Sequence, residues 1–408
     1  MAALEWLIIG GGIHGTHLSL VLMQRGGVAA HRLRVLDPYP APLARWHECT
    51  RNCGMAYLRS GGVHHIGLEP EALGRFAARQ PNSPTPHFIP PYRRPALTLF
   101  QQHCDHVIAT NQLDQVRLIG RATALRRHGD GWQVETEHGC VTAHKVALAM
   151  GSMEHPAIPA WASPLIAQGA AIDHIFTPGM RREQCRAWQR CVVVGGGISA
   201  VQLALTLAAQ QPGTVTLLLR HPLREHQLDS DPGWLGPKYQ DGFRALHDYA
   251  ERRTQITRAR HRGSVPPDLA VQLRQAIQHG QLALRHAAVV ATHHTPATGI
   301  TLSLAAGAPL TADWVVLATG FAPERPGGAW LTETIPAADL PLAPCGFPLA
   351  APDLHWGQGL YVLGALAELE LGPIARNIAG ARQAAERIVR SRDAGVPPRT
   401  YRAMRGRG

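Results

Sequence analysis

The chain is predicted to be an α/β protein in which one doubly wound unit is inserted into another, and three observations carry that prediction. A strand, a glycine-rich turn, a helix and a second strand follow one another at the start of the chain. The same order recurs from residue 191. Each copy is followed by a run with hairpin character that ends in an apolar strand closing on a small residue and glycine, so the chain reads as an internal duplication.

Taken in order, Leu4 to Ile9 reads as a buried strand, GGGIHG as a turn, and the apolar run behind it as a helix ending near Gly26 and Gly27. Leu33 to Leu36 is the next strand, closing with Asp37 before Pro38. Pro81 to Pro95 is proline-rich and reads as an irregular loop, and residues 118 to 152 carry the first meander. In the second copy Cys191 to Val194 is the strand, GGGISA the turn, Val201 to Gln210 the helix, and Val215 to Leu219 the next strand, closing with Arg220. A polar region, 221 to 280, replaces a simple crossover. It holds helical patterns over Gly242 to Arg260 and Asp268 to His279, the latter introduced by Pro266 and Pro267, since proline suits a first helical turn. Residues 282 to 320 carry the second meander, and Asp313 to Phe321 reads as a strand returning to the first domain. The expected division is therefore a discontinuous first domain, 1–165 and 315–395, a second domain, 166–314, with a small helical insertion at 221–280, and a basic flexible tail, 396–408.

Composition bounds the function. Of 408 residues 45% are hydrophobic and 17% charged, which suits a folded globular chain and excludes a disordered one. Forty basic side chains against twenty-nine acidic ones give +11, yet only Lys145 and Lys238 are lysines, and the arginines are scattered. A compact basic stripe interleaved with aromatics is missing outside the tail from Arg390 to Arg407, so nucleic acid is not the expected partner. Seven cysteines, an odd number without a dense framework, point to a reducing compartment, and the cytoplasm is expected. The run EWLIIGGGIHGTHLSLVLM lacks a basic leader and is broken by glycines, and no stretch is apolar for long enough to span a bilayer, so no membrane partner is expected.

The glycine turns carry the chemistry. Gly10, Gly12 and Gly15 have the G-x-G-x-x-G spacing: the first allows the tight turn, the second lets backbone amides approach a pyrophosphate, and the third lets the helix pack closely. Asp37 ends the second strand, where a carboxylate accepts hydrogen bonds from a ribose diol. In the second copy Gly195, Gly197 and Ala200, with Ser199 beside them, form the corresponding turn, but Arg220 stands where the acid is expected. A guanidinium pairs with a 2′-phosphate, so this unit is read as the NADPH site and the first as the FAD site. The bland alternative for Arg220 is a solvated arginine in an arginine-rich chain. Together these readings give two Rossmann-like dinucleotide-binding domains, for FAD and NADPH, each with a β-meander and the NADPH domain inserted in the FAD domain.

With IIGGGIHG at the start, VVVGGGISA in the middle and DWVVLATGF near the end, the chain resembles the class B flavin monooxygenases, and within them the lysine and ornithine N-hydroxylases. Trp46 and His47 resemble that family's tryptophan-histidine pair, and Met55 with LRS at 58 to 60 falls where the family covers the flavin. The segment from Gly359 to Ile388, containing Gly364 and Asn377, resembles the strand and helix that cap the flavin ring, which implies that Asn377 heads a helix aimed at the flavin's pyrimidine edge. Where the family carries an aspartate and an Asn-Glu segment, this chain has HQLDSDPGWLGPK, 226 to 238. His174 lacks the spacing from Gly169 and the following tryptophan of a Baeyer-Villiger signature. The resemblance implies an FAD enzyme that takes hydride from NADPH and passes oxygen from dioxygen, through a C4a-hydroperoxyflavin, to a small substrate's amine nitrogen or sulfur. Because the cofactor carries that chemistry, no catalytic triad is expected.

Two clusters stay open on the residues alone. His64 and His65, bordering the flavin if the family pattern holds, are read either as acid-base or substrate contacts or as a hydrogen-bonded structural pair, and the Asn377 side chain either as functional or as a local cap. Cys49 and Cys53, spaced C-T-R-N-C, are read as buried small apolar residues, with a redox dithiol or a zinc cluster as weaker alternatives because the spacing fits neither. A flavin reductase or oxidase without oxygen transfer, or a non-enzymatic nucleotide sensor, are the competing functions.

Overall fold

The computed structural model describes residues 3–81, 85–152, 154–184, 188–295 and 299–393; the basic tail from 396 lies outside the described residues. Strand β1 (Leu4–Ile9), helix α1 (Ile13–Gln24) and strand β2 (Leu33–Asp37) form the first unit, with β1 and β2 parallel and Ile9 paired with Leu36. Helix α2 (Ala44–Cys53) follows, and then β3 (Arg117–Ile119), β4 (Ala122–His128), β5 (Gly131–Thr136) and β6 (Gly139–Leu148). The last three are the expected meander. β6 lies antiparallel to β5 and parallel to β1, and the strand order is β3-β2-β1-β6-β5-β4. β1 is buried along Trp6, Leu7, Ile8 and Ile9, as a strand covered on both faces must be.

The second sheet repeats the plan. It contains β7 (Ile172–His174), β8 (Cys191–Val194), β9 (Val215–Leu219) and β10 (Leu282–His286), with helix α3 (Ile198–Gln210) between β8 and β9. The second meander, β11 (Val289–Thr295), β12 (Gly299–Leu304) and β13 (Leu310–Ala312), forms an antiparallel sheet of its own. Strand β14 (Trp314–Leu317) then returns beside β8, giving the order β10-β9-β8-β14-β7.

That return strand corrects the expectation placed on Asp313 to Phe321. β14 pairs with β8 and β7 and belongs to the second sheet; the chain rejoins the first sheet at β15 (Leu360–Val362), parallel to β6. Both β6 and β14 end in apolar residues running into a small residue, so those ends carry no sign of which sheet each one serves.

Within the insertion, the single helical pattern over 242 to 260 is two helices, α4 (Pro237–Ala245) and α5 (Tyr249–Ala259). The break is made by Asp248, whose carboxylate accepts from the Ala250 amide and caps α5. Helix α6 (Pro267–Gln278) starts at the second proline of its pair. The short α7 (Glu368–Leu371) and the long α8 (Ile378–Asp393) close the chain, with α8 packed along α1.

The loops are pinned by side chains. Arg382 of α8 donates to the carbonyls of His65, Gly67 and Leu68. The Glu368 carboxylate, 1% exposed, receives Arg376, Arg253 and Arg260, which ties α5 and the residue following it to the closing segment. Among the described residues, no helix is long and apolar enough to cross a membrane.

Candidate functional site

The first glycine turn is built as a cradle. Gly10 has φ +112, its amide donates to Leu36 O at 2.8 Å, and a Cβ there would come within 2.7 Å of Ala149 O, the residue after β6. A Cβ on Gly15 would lie 1.8 Å from Gly10 O, so that position excludes every side chain. Gly12, by contrast, heads α1 with open space where a side chain would stand, leaving the free first-turn amides accessible to an anion. Asp37 accepts from Gly11 N at 2.5 Å through Oδ2 and from Tyr39 N at 3.0 Å through Oδ1. A carboxylate has about four lone-pair sites, so both oxygens keep capacity for a ribose diol.

His14, inside the same turn, has both ring nitrogens buried without a partner at hydrogen-bond geometry, and its ring faces Gly364, which has φ +61. Burial lowers its pKa to about 4, against the opposing pull of the Arg376 carbonyl. The neutral ring packs between the turn and Gly364, close to the Arg376 backbone.

The second turn follows the same geometry with one shift of register. Gly195, φ +149, packs its Cβ position within 2.4 Å of Ala318 O after β14, as Gly10 does on Ala149, and the Ala200 methyl stands where Gly15 stands in the first copy. Val194 pairs with Leu218, so the residue corresponding to Asp37 is Leu219; Gly196 faces Leu219 as Gly11 faces Asp37. Arg220 does not replace the acid directly. It follows one residue later, exposed and without an ion pair among the described residues. Gly197 heads α3, but Gly263 of the insertion lies 3.5 Å from its Cβ position and the His221 ring lies beside Gly196. The Ser199 hydroxyl is engaged with the Cys53 thiol and faces α2.

The remaining candidates separate. His64 lines a cavity together with Arg59, Asp229, Asp231 and Asn377, where the loop after α2, the insertion and the start of α8 meet. His65 does not: it is fully buried, its Nδ1 accepts from Gly67 N at 3.1 Å and its Nε2 donates to Pro70 O at 2.9 Å. The catalytic reading of His65 is corrected to a structural one, because both nitrogens are committed to backbone. Asn377 occupies the N-cap of α8, with its carbonyl accepting from Ala381 N. Trp46 packs on Phe100 with ring centroids 5.2 Å apart, and Met55 joins the same apolar cluster. Cys49 and Cys53 are buried, and burial pushes their thiols up to about 11 and about 12, which suits packing and not thiolate chemistry.

Sequence reasoning missed Arg59. Its guanidinium donates to the carbonyls of His226 at 2.7 Å and Leu228 at 2.8 Å and to Ser264 Oγ at 2.9 Å, clamping the insertion over the cavity. Only its place in the LRS segment could have flagged it.

Comparison with known proteins agrees with this geometry. A family profile described as FAD-NAD(P)-binding matches residues 7–153, and one described as pyridine nucleotide-disulphide oxidoreductase matches 82–261, which makes FAD and a nicotinamide dinucleotide the cofactors. The cadaverine monooxygenase of Erwinia amylovora, solved with FAD, superposes over 100% of this chain and 99% of its own at 14% identity and a TM-score of 0.74. The fold is that of the N-hydroxylating flavin monooxygenases. The ornithine N-hydroxylase of Kutzneria sp. 744, solved with reduced FAD, NADP+ and L-ornithine, covers 96% of this chain and 99% of its own at 15% identity and a TM-score of 0.74. The ornithine hydroxylase of Pseudomonas aeruginosa covers 96% and 98% at 18% identity and a TM-score of 0.70. No curated protein matches. The Arg59–His64–Asn377 cavity includes none of the glycines of the two turns.

Proposed function

We propose that the chain is an FAD-dependent, NADPH-using monooxygenase that oxygenates the amine nitrogen of a small substrate. The observation that carries this reading is the pair of glycine turns, Gly10–Gly15 and Gly195–Ala200, each built against the end of a parallel strand; His64, Asp229, Asp231 and Asn377 converge beside a small space of about 30 Å³ under the Arg59 clamp. The full-length likeness of fold to amine N-hydroxylases supports it.

Bound FAD supplies the two-electron chemistry that links NADPH, dioxygen and substrate. The chain's own residues bind, orient and move protons. The Gly10–Gly15 turn and the head of α1 would hold the pyrophosphate and Asp37 the ribose, while the head of α8, begun by Asn377, would present its positive end to an electron-rich ring edge. Gly195, Gly197 and Ala200 cradle the second dinucleotide, and exposed Arg220 pairs with a 2′-phosphate.

A cationic amine is drawn to Asp229 and Asp231 and must lose a proton before its nitrogen can attack. His64 lines the same space, and because burial, reinforced by Arg382, holds its pKa below the usual histidine value, it offers a neutral ring nitrogen as a hydrogen-bond acceptor to the amine. Gln227, Leu228 and the rest of 226 to 238 replace the family's substrate segment, which leaves the amine's identity to experiment.

The test is NADPH-dependent oxygen uptake with a panel of terminal diamines, amino acids and thiols, read together with product mass and peroxide. An amine product heavier by one oxygen atom, formed in step with NADPH consumed, supports the reading. Stoichiometric peroxide with every substrate overturns it in favour of an oxidase.

A further inference from the structure

The two glycine turns differ in what stands over them. Nothing lies within 4 Å of where a Cβ on Gly12 would stand, whereas at the matching position, Gly197, the Cα of Gly263 lies 3.5 Å away. The second glycine of such a turn is the point at which the backbone comes close to a pyrophosphate, so a dinucleotide seated at the head of α3 meets Gly263 of the insertion. Gly263 has φ +66, and a Cβ there would lie 3.6 Å from the His221 ring, which itself stands 3.3 Å from the Cβ position of Gly196. The insertion thus forms one side of the second cradle, and the first cradle has no such wall at Gly12 among the described residues.

The same stretch of the insertion also walls the amine cavity. Arg224 pairs with Ser264 and Glu225 with Val265, and the His226 amide donates to Val265 O at 3.0 Å. Beyond them the His261 amide donates to Asp229 O at 2.8 Å and its Nδ1 to Leu228 O at 3.1 Å, while the His226 and His261 rings stack with centroids 3.7 Å apart. The Ser264 hydroxyl donates to His261 O at 2.5 Å. Arg59 ties the knot from the loop after α2, its Nε donating to Gln227 O at 3.2 Å and its Nη2 to Leu228 O and Ser264 Oγ. Leu228 and Asp229 line the space beside His64 and Asn377. His261 and Gly263 are two residues apart, a span of at most about 7 Å, so one hydrogen-bonded knot touches the dinucleotide seat at one end and the amine cavity at the other.

We propose that this knot couples the two sites: a dinucleotide in the second cradle fixes Gly263, and His261 and Arg59, as positioning residues, pass that constraint to the 228–231 wall of the amine cavity. The inference rests on the reading of Gly195–Ala200 as the NADPH turn. Its physical basis is the weakness of the ribbon by itself. The two strands are two residues each and pair only with one another, far too little for a sheet to be stable alone, so side-chain contacts set where the ribbon lies. Such a segment opens at low free energy, and a ligand that orders one strand removes part of the cost of ordering the other. The coupling is reciprocal, so an occupied second cradle tightens the amine site and an occupied amine site tightens the cradle by the same factor.

The experiment is hydrogen–deuterium exchange of the full-length, FAD-loaded protein with and without saturating NADP+, beside calorimetry of NADP+ binding itself. In the wild type NADP+ is expected to slow exchange on the order of tenfold at 262–265 and at 228–231 together, with the β4–β5 hairpin unchanged. His261→Ala removes the ring stack and the bond to Leu228 O but keeps the backbone at Gly263, so the slowing should persist at 262–265 and vanish at 228–231. Arg59→Met should do the same, and if it does not fold, His261→Ala carries the test. Gly263→Ala should weaken NADP+ and NAD+ alike, on the order of tenfold, because it acts at the pyrophosphate the two share. Bound NADP+ that slows only 262–265 in the wild type, or neither stretch, overturns the proposal. So does slowing at 228–231 that survives His261→Ala. Calorimetry that finds no NADP+ binding overturns the reading of the second cradle, and the coupling with it, so the two failures are told apart.

Discussion

Gly12 and Gly15 stand three residues apart in one turn, yet substituting them should have opposite consequences. A methyl on Gly12 meets nothing within 4 Å and its φ of −74 suits any residue, so Gly12→Ala should fold with a melting temperature close to wild type while retaining less FAD. Gly15→Ala would drive a methyl to 1.8 Å from Gly10 O and should yield little folded protein. Flavin-to-protein absorbance ratios and thermal melts separate the two effects. At the second cradle, Arg220→Ala should raise the KM for NADPH by on the order of tenfold or more while leaving that for NADH nearly unchanged, since only the former carries the phosphate that a guanidinium grips. Equal effects on the two cofactors would remove Arg220 from the site. Cys49→Ser with Cys53→Ser should leave turnover unchanged, because both thiols are buried and held protonated.

Between elements, the contact that joins the insertion to the closing segment is the Glu368 carboxylate. Burial alone would raise its pKa, but Arg376, Arg260 and Arg253 outweigh that and hold it below the usual glutamate value. A carboxylate whose folded pKa is depressed stabilises the fold above its unfolded value of about 4.5 and loses that contribution as pH falls through the lower folded value. Glu368→Gln would leave three guanidinium groups crowded without their counter-charge, a loss of about 3–5 kcal/mol by analogy with broken buried pairs. The measurement is urea denaturation of variant and wild type at pH 7 and again near pH 3. The difference should be large at pH 7 and shrink as the pH falls through the lowered folded value, where the wild-type carboxyl takes up its proton.

For the whole molecule, buried histidines make the fold sensitive to acid. His17, His65 and His103 are buried, and desolvation lowers their pKa values to about 3, about 4 and about 3 from 6.5. Between about pH 6.5 and pH 4 the unfolded chain binds more protons than the folded one, so stability rises with pH there and is lost on acidification. Each histidine contributes roughly 1.4 kcal/mol per pH unit across that window. Melting temperatures recorded from pH 7 to pH 5 should fall steeply, and His103→Phe, which removes one titrating ring whose Nδ1 has no partner, should flatten the slope.

Both glycine turns and the strands and helices around them were legible in the sequence, as was the inserted helix behind Pro266 and Pro267, because each depends on local backbone chemistry. A turn that needs φ above zero needs glycine, and a strand buried on both faces must be apolar along its length. Which sheet receives Trp314–Leu317, which of His64 and His65 faces a cavity, and whether Arg220 or Leu219 matches Asp37 were decided only by tertiary structure. Each of those questions turns on how the chain packs, whether a strand that pairs 123 residues along the chain (Val192 with Val315, Val194 with Leu317) or a carbonyl that uses up an imidazole. Arg94 is the clearest instance: in a proline-rich stretch it reads as a solvated loop residue, yet pairing of 95 to 97 with 56 to 58 buries it opposite α3. Local residue type sets what backbone a segment can adopt; only the packing of segments remote in sequence sets which polar atoms are left to act.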